Sequence, residues 1–194
     1  MPSFAAQDPE FDANVRRSFE GLTLMRTVGA RLQHVAPGVV EIDLPFREDL
    51  TQHHGYVAAA VLTAIVDVAC GYAAMTLMPS GASVLTVEYK VNFLSPAQGE
   101  RMLARGRVIR PGRTVTVCGG DVLAFRAGEE RLVATMLATM ATVRGEGRNV
   151  PPSTPPTAHE HRLGIHRSRD SWRQARPWCV CRDGKLRQQL RQLL

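Results

Sequence analysis

A single acidic residue lies in the most apolar stretch of the sequence. Residues 57–77 contain one charged side chain, Asp67, near their midpoint. Burying an ionisable carboxyl group costs free energy unless the group is paired or neutral, so its presence needs a reason. Either Asp67 faces a wet stripe or a backbone amide and is structural, or it acts as a general base or nucleophile at an acyl carbon.

The residues before Asp67 offer a second chemical feature. The sequence QHHGYVAAAVL leads into a predicted long helix, whose first N–H groups and positive dipole end suit the stabilisation of an oxyanion. Ala58, Ala59 and Ala60 would let a substrate carbonyl approach this backbone closely. Alanine is also the best helix former, so the three alanines by themselves indicate an oxyanion hole only weakly. The prediction depends on Asp67, which lies about two and a half turns further along the helix.

The elements that must position these residues form an α+β pattern. Apolar residues at four-residue spacing predict a short helix over residues 8–20. Residues 22–35 and 39–46 are predicted to be two strands joined by a hairpin turn, and the long helix follows over residues 57–78. Four strand-like runs complete this part of the chain, at residues 84–94, 101–109, 114–125 and 131–143.

The connections between these four runs are short enough for antiparallel neighbours. An antiparallel sheet beside one nearly all-apolar helix predicts that the sheet wraps around the helix, since only this arrangement hides every face of the helix. Such a sheet has exposed edges. We therefore expect self-association through a sheet edge or the helix start.

Charge divides the chain into two parts. The 194 residues, 44% of them hydrophobic, fit one globular domain with a short appendage. Residues 1–143 carry a net charge of −1 and residues 144–194 a net charge of +7. The second part is rich in Pro and Arg and has no clear periodicity, so it is predicted to be a mostly disordered tail. The proposed division is a helical segment over 1–21, a main domain over 22–143 and the tail.

Several function classes are disfavoured by these patterns. A specific nucleic-acid partner would rest on the basic tail alone, and a mid-segment Asp67 argues against a membrane span over residues 57–77. The chain starts with acidic and polar residues and has four cysteines, which predicts a cytoplasmic protein without a disulfide scaffold. The tail residues His159, His161, His166, Cys179 and Cys181 match no common zinc spacing, so no metal is predicted.

The residues around the long helix resemble a known family. The segment QHHGYVAAAVLTAIVDVACGYAA, followed by ASVLTVEYKVNFLSPAQGERMLARGRVIRPGRTVTV, is similar to the hotdog-fold acyl-CoA thioesterases of the PaaI type. The resemblance covers residues 22–143. It implies a hotdog fold, hydrolysis of an acyl-CoA with no cofactor beyond the coenzyme A of the substrate, and a homodimer or homotetramer.

The resemblance also implies roles for individual residues. Asp67 matches the carboxylate that acts as base or nucleophile, and the backbone amide of Ala59 matches the oxyanion hole. Gln52, fifteen residues before Asp67, matches the Asn or Gln that positions the thioester or the attacking water. Thr86, nineteen residues after Asp67, matches a Ser/Thr that orients this water. The family's pocket forms between two subunits, so Gln52 and Asp67 are expected to meet across a dimer interface.

The helix start departs from the family pattern. Ala58, Ala59 and Ala60 occupy places that commonly read His-Gly-Gly or His-Ala-Gly. The missing His removes a contact to the substrate carbonyl, and Ala60 adds a methyl group beside the thioester, so activity is expected to fall about tenfold to a thousandfold. The alternatives are a non-catalytic acyl-thioester binding protein and a hydratase, for which only His53 or His54 could supply an acid/base group.

The remaining substrate contacts are assigned to loop and turn residues. His54 and Gly55 are expected to line the pocket mouth, and Ala58 and Ala60 to border the thioester. An arginine cluster near residue 110 either binds the phosphate groups of coenzyme A or simply faces solvent from a strand. Arg113 is taken as its substrate-binding member; the others are Arg105, Arg107 and Arg110.

Overall fold

The structure, a computed structural model, describes residues 4–143, and the predictions for the tail lie outside these residues. Three helices and six strands form the main elements. The helices are α1 (Phe11–Glu20), α2 (Thr23–Val28) and α3 (Ala59–Met75); the strands are β1 (Arg31–Ala36), β2 (Val39–Pro45), β3 (Ser83–Phe93), β4 (Arg101–Arg110), β5 (Val115–Arg126) and β6 (Glu129–Val143).

The six strands form one antiparallel sheet around α3, as the sequence predicts. Their order is β1-β2-β4-β5-β6-β3, and α3 packs against strands β2 to β6. Two glycines permit this close packing, because a Cβ atom at Gly106 would overlap the backbone carbonyl of Ala69, and one at Gly120 would press on Val66. The largest fully buried residues are Val15, Met25, Val40, Ile42, Leu44, Ile65, Val66, Thr76, Met102, Val122, Val133 and Met140.

The prediction for residues 22–35 is wrong in its first half. Residues Thr23–Val28 form helix α2, and only Arg31–Ala36 form a strand. Met25 and Val28, three residues apart, are both buried, and Gly29 ends the helix with a φ of 77°. A short apolar run supports either a helical turn or a strand by periodicity, and packing against the core decides between them here.

The expectation that every face of the long helix is hidden is also wrong. Ala60 is exposed, and Ala64 and Val68 are only half-buried. These residues share a stripe of α3 that the sheet does not cover. Strand β3, which borders this stripe, lies at the edge of the sheet and exposes Leu85 and Tyr89.

No helix in the described part of the chain is both long and apolar enough to cross a membrane.

Candidate active site

The structure joins two of the predicted site residues directly. The hydroxyl of Thr86 donates a hydrogen bond of 2.9 Å to Oδ1 of Asp67. Asp67 lies near the middle of α3 and Thr86 lies on the edge strand β3. The Thr86 Oγ1 also lies 3.5 Å from the sulfur of Met140, a fully buried residue on β6. The Asp67 carboxylate is therefore held by the Thr86 hydroxyl, which in turn lies against a third element, strand β6.

A bulge in β3 follows Thr86 immediately. Thr86 pairs with Met140 on β6, but Glu88 pairs with Thr139, so Val87 is the extra residue. Bulges often redirect side chains beside active sites. Nothing in the sequence signalled this bulge or the contact with Met140, because both depend on the register of β3 against β6.

The environment of Asp67 acts on its acidity in two opposing directions. Burial raises the pKa of Asp67 above its ordinary value, and the hydrogen bond from Thr86 lowers it again, with burial having the larger effect. A carboxylate with a raised pKa is a stronger base while it remains ionised. This environment suits proton abstraction from water.

The start of α3 offers backbone donors, as the sequence predicts. Ala58 is the N-cap residue and has an extended backbone, and its carbonyl accepts hydrogen bonds from the N–H groups of Val61 and Leu62. The N–H groups of Ala59 and Ala60 donate no backbone hydrogen bond within residues 4–143. Ala59 is half-buried and Ala60 is exposed, so both amides lie at an accessible helix start.

The loop before α3 is a tight turn that presents Gln52 and His54. The N–H group of Gln52 donates a 2.8 Å hydrogen bond to the carbonyl of Tyr56, which closes the loop. Inside it, His54 and Gly55 have φ angles of 67° and 72°, a conformation that is unfavourable for a histidine. Gln52, His54 and Gly55 are all exposed, as residues at a pocket mouth would be.

One chain does not bring all of these groups together. Asp67 is eight residues beyond Ala59, which places it about 12 Å further along the helix axis. Gln52 and the Ala59 amide lie at the helix start, whereas Asp67 and Thr86 lie halfway along α3. Within one chain, therefore, the predicted oxyanion hole and the carboxylate do not form one site.

The predicted arginine cluster is divided by the fold. Arg105 and Arg107 flank Gly106, which faces α3, so their side chains point to the outer face of the sheet. There Arg105 pairs with Glu41 at 2.6 Å and Arg107 with Asp121 at 2.5 Å. Both side chains therefore form ion pairs on the outer surface of the sheet. This agrees with the interpretation that these two arginines face solvent from a strand.

Arg113 lies at the opposite end of α3 from the predicted oxyanion hole. It belongs to the β4–β5 turn and shares a cleft with Leu77 and Met78, which follow the helix. The length of α3 separates it from Ala59 by about 25 Å within one chain. Arg113 therefore does not join the helix start of its own chain.

The described residues contain no group of three or more His, Cys, Asp or Glu side chains arranged to hold a metal ion. His53 and His54 neighbour each other in the loop, with ring centroids 6.5 Å apart. Within residues 4–143 the side-chain hydrogen bond to Asp67 comes from Thr86 and not from either histidine.

A carboxylate within a long helix, an antiparallel sheet around that helix and free amides at its start define the hotdog thioesterase class. Residues 54–130 match the model of the thioesterase superfamily. A relative from Halobacterium salinarum, provisionally named an esterase, is 30% identical over 122 residues, covering 60% of this chain and 79% of the relative. The chain belongs to the thioesterase superfamily.

Solved structures agree with this assignment. A thioesterase family protein from Silicibacter pomeroyi is 49% identical, covers 70% of this chain and 99% of its own, and superimposes with a TM-score of 0.69. The PaaI protein of the phenylacetic acid degradation operon of E. coli is 15% identical, with a TM-score of 0.65 over 72% of this chain and 98% of its own. The second likeness shows a shared fold alone. Together the comparisons support acyl-thioester hydrolysis in general terms.

Proposed function

We propose that this protein is a homo-oligomeric acyl-CoA thioesterase of the PaaI type. The hydrogen bond between Thr86 and Asp67 carries the proposal, because it places an oriented carboxylate on the open stripe of α3. Family membership supplies the reaction class, and the coenzyme A portion of the substrate is the only cofactor-like group required.

In the proposed reaction Asp67 removes a proton from water as the water oxygen attacks the thioester carbon. The electron pair of the C=O bond moves to the oxygen, where the N–H group of the partner's Ala59 stabilises the negative charge, since Ala59 of the same chain lies about 12 Å from Asp67. The tetrahedral intermediate then re-forms its C=O bond and expels the coenzyme A thiolate, which takes the proton held by Asp67 to become the thiol and returns Asp67 to its ionised form. Direct attack by an Asp67 oxygen would instead break the C–S bond, expel the coenzyme A thiolate and form a mixed anhydride, which water then hydrolyses to the same acid and free Asp67.

A second copy of the chain is proposed to complete the site. Within residues 4–143 the edge strand β3 pairs with β6 alone and exposes Leu85 and Tyr89. The adjoining stripe of α3 bears the small residues Ala60 and Ala64. A second copy that pairs with this edge and covers this stripe would bring the partner's Gln52 and the partner's Ala59 toward Asp67. The separation of Gln52 and Asp67 within one chain supports this arrangement.

A second candidate function follows from the alanines at the helix start. Ala58 cannot donate a side-chain hydrogen bond to a substrate carbonyl, and the methyl group of Ala60 is exposed where the thioester would pass. If these two changes end turnover, the protein binds acyl-thioesters without hydrolysing them.

One experiment separates the two candidates. Thiol release is measured from short, medium and aromatic acyl-CoAs with the wild-type protein and with Asp67→Asn. Hydrolysis that disappears in the variant supports the enzyme. Saturable acyl-CoA binding without hydrolysis by either protein supports the binding function, and absence of both binding and hydrolysis rejects both candidates.

A further inference from the structure

A cavity lies between α1 and the turn that leads from α3 to β3. Its volume is about 440 Å³, which is within the range of small-molecule pockets. Its lining combines polar side chains, among them Asp8, Arg17 and Ser18, with four apolar ones, here called the floor: Phe11, Met75, Met78 and Ala82. Met75 is eight residues beyond Asp67, about 12 Å along the helix, so this cavity is distinct from the site around Asp67.

A chain of hydrogen bonds positions an arginine on the wall of this cavity. The side-chain amide of Asn14 donates to Asp8 Oδ2 at 2.9 Å, and the Asn14 oxygen accepts from Arg17 at 3.3 Å. The other oxygen of Asp8 accepts from the N–H group of Glu10 at 3.0 Å. Asp8 is 7% exposed, and both of its carboxylate oxygens accept hydrogen bonds. Arg17 uses one of its five side-chain N–H groups in the hydrogen bond to Asn14.

A hydroxyl donor lies beside this arginine. The Tyr72 hydroxyl hydrogen-bonds Ser18 Oγ at 3.0 Å, which holds the Ser18 side chain in place. A serine hydroxyl can both donate and accept hydrogen bonds. Both Arg17 and Ser18 line the cavity. Donors from adjacent residues on one turn of α1 therefore line the same cavity as the apolar floor.

We propose that this cavity binds an amphipathic monocarboxylate, with its alkyl or aryl portion on the floor and its carboxylate on Arg17 and Ser18. A guanidinium and a hydroxyl are both donors and match the acceptor-only carboxylate group. The apolar floor selects against small hydrophilic anions. The proposal concerns binding alone and does not depend on turnover at Asp67.

Octanoate is the probe for this site, and calorimetric titration of the full chain is the measurement. Wild-type protein is expected to bind octanoate saturably, and Arg17→Gln to weaken binding about five- to tenfold. The matched control is Arg16→Gln, which removes a neighbouring charge whose partner is Asp12, outside the cavity. This control is expected to bind octanoate with unchanged affinity.

A second variant and a second probe test the two halves of the site separately. Ala82→Phe fills the floor and is expected to abolish octanoate binding, while octan-1-ol, which has no charge, is expected to bind wild-type protein about tenfold more weakly. Equal octanoate affinity in Arg17→Gln and wild type, equal affinity for octan-1-ol, or no saturable octanoate binding would each overturn the proposal.

Discussion

The Thr86 hydroxyl and the Asp67 carboxylate lie nineteen residues apart in the chain and 2.9 Å apart in the fold. Strand β3 runs alongside α3, and the bulge at Val87 follows the point where they meet. This contact gives the half-buried Asp67 carboxyl group a hydrogen-bond donor. It also makes the acidity of Asp67 depend on the register of an edge strand.

Replacing Asp67 by Asn is expected to reduce acyl-CoA hydrolysis by about 10²- to 10⁴-fold, because the amide cannot accept the proton of the attacking water. Steady-state thiol release measures the effect. The matched control is Asp12→Asn, which alters an exposed carboxylate on α1 that is paired with Arg16, and should leave the rate unchanged. Equal activity of Asp67→Asn and wild type would remove Asp67 from the mechanism.

Thr86→Val is expected to shift the pH dependence of hydrolysis. The hydrogen bond from Thr86 lowers the pKa of Asp67, so its loss leaves the effect of burial unopposed and raises this pKa further. Because the ionised carboxylate is the active form, the acid limb of the kcat/KM profile should move to higher pH.

Two variants check that this shift comes from the lost hydroxyl. Thr86→Ser keeps the donor and should restore the wild-type profile. Thr139→Val removes a hydroxyl that bonds Glu88 on the neighbouring strand instead, and it should leave the profile in place. An unshifted acid limb in Thr86→Val would contradict the proposed effect on Asp67.

Asp67→Asn is also expected to raise thermal stability at neutral pH. The pKa of Asp67 is higher in the folded protein than in the unfolded chain, so the folded state favours the neutral form, and stability falls as pH rises through the unfolded and then the folded pKa. Asn stays neutral throughout. The Tm of the variant should exceed that of wild type at pH 7, and the difference should shrink below about pH 4, where the unfolded Asp is also protonated.

Restoring the family residues at the helix start should increase the rate. Ala58→His adds a side-chain contact to the substrate carbonyl, and Ala60→Gly removes a methyl group from the path of the thioester. The double variant is expected to raise kcat/KM by about ten- to a thousandfold. An unchanged rate with the substrate that wild type hydrolyses best would show that these alanines do not limit the enzyme.

Ala64→Arg is expected to separate the proposed dimer and to remove activity. A charged side chain in the middle of the open stripe of α3 cannot be buried against a second copy without losing its hydration. Light scattering after size-exclusion chromatography gives the mass. The control Leu24→Arg places the same charge on an exposed position of α2, and it should preserve both mass and activity.

Local sequence patterns were sufficient to predict most of the helices and strands. The apolar run around Asp67 and the alternating, turn-bounded segments predicted α3 and the four strands after it, because periodicity and turn residues act over a few neighbours. They failed at residues 23–28, where the run is short and burial of Met25 and Val28 against the core decides for a helix.

Contacts between distant segments required the fold. Sequence spacing selected Asp67 and Thr86, but the bulge in β3 and the support from Met140 arise from strand pairing. Arg105 and Arg107 looked like one cluster with Arg113, yet strand alternation directs the first two to acids on the outer face and leaves Arg113 beyond the end of α3. Side-chain direction and cross-strand register are set by the whole sheet, so no local pattern could assign these partners.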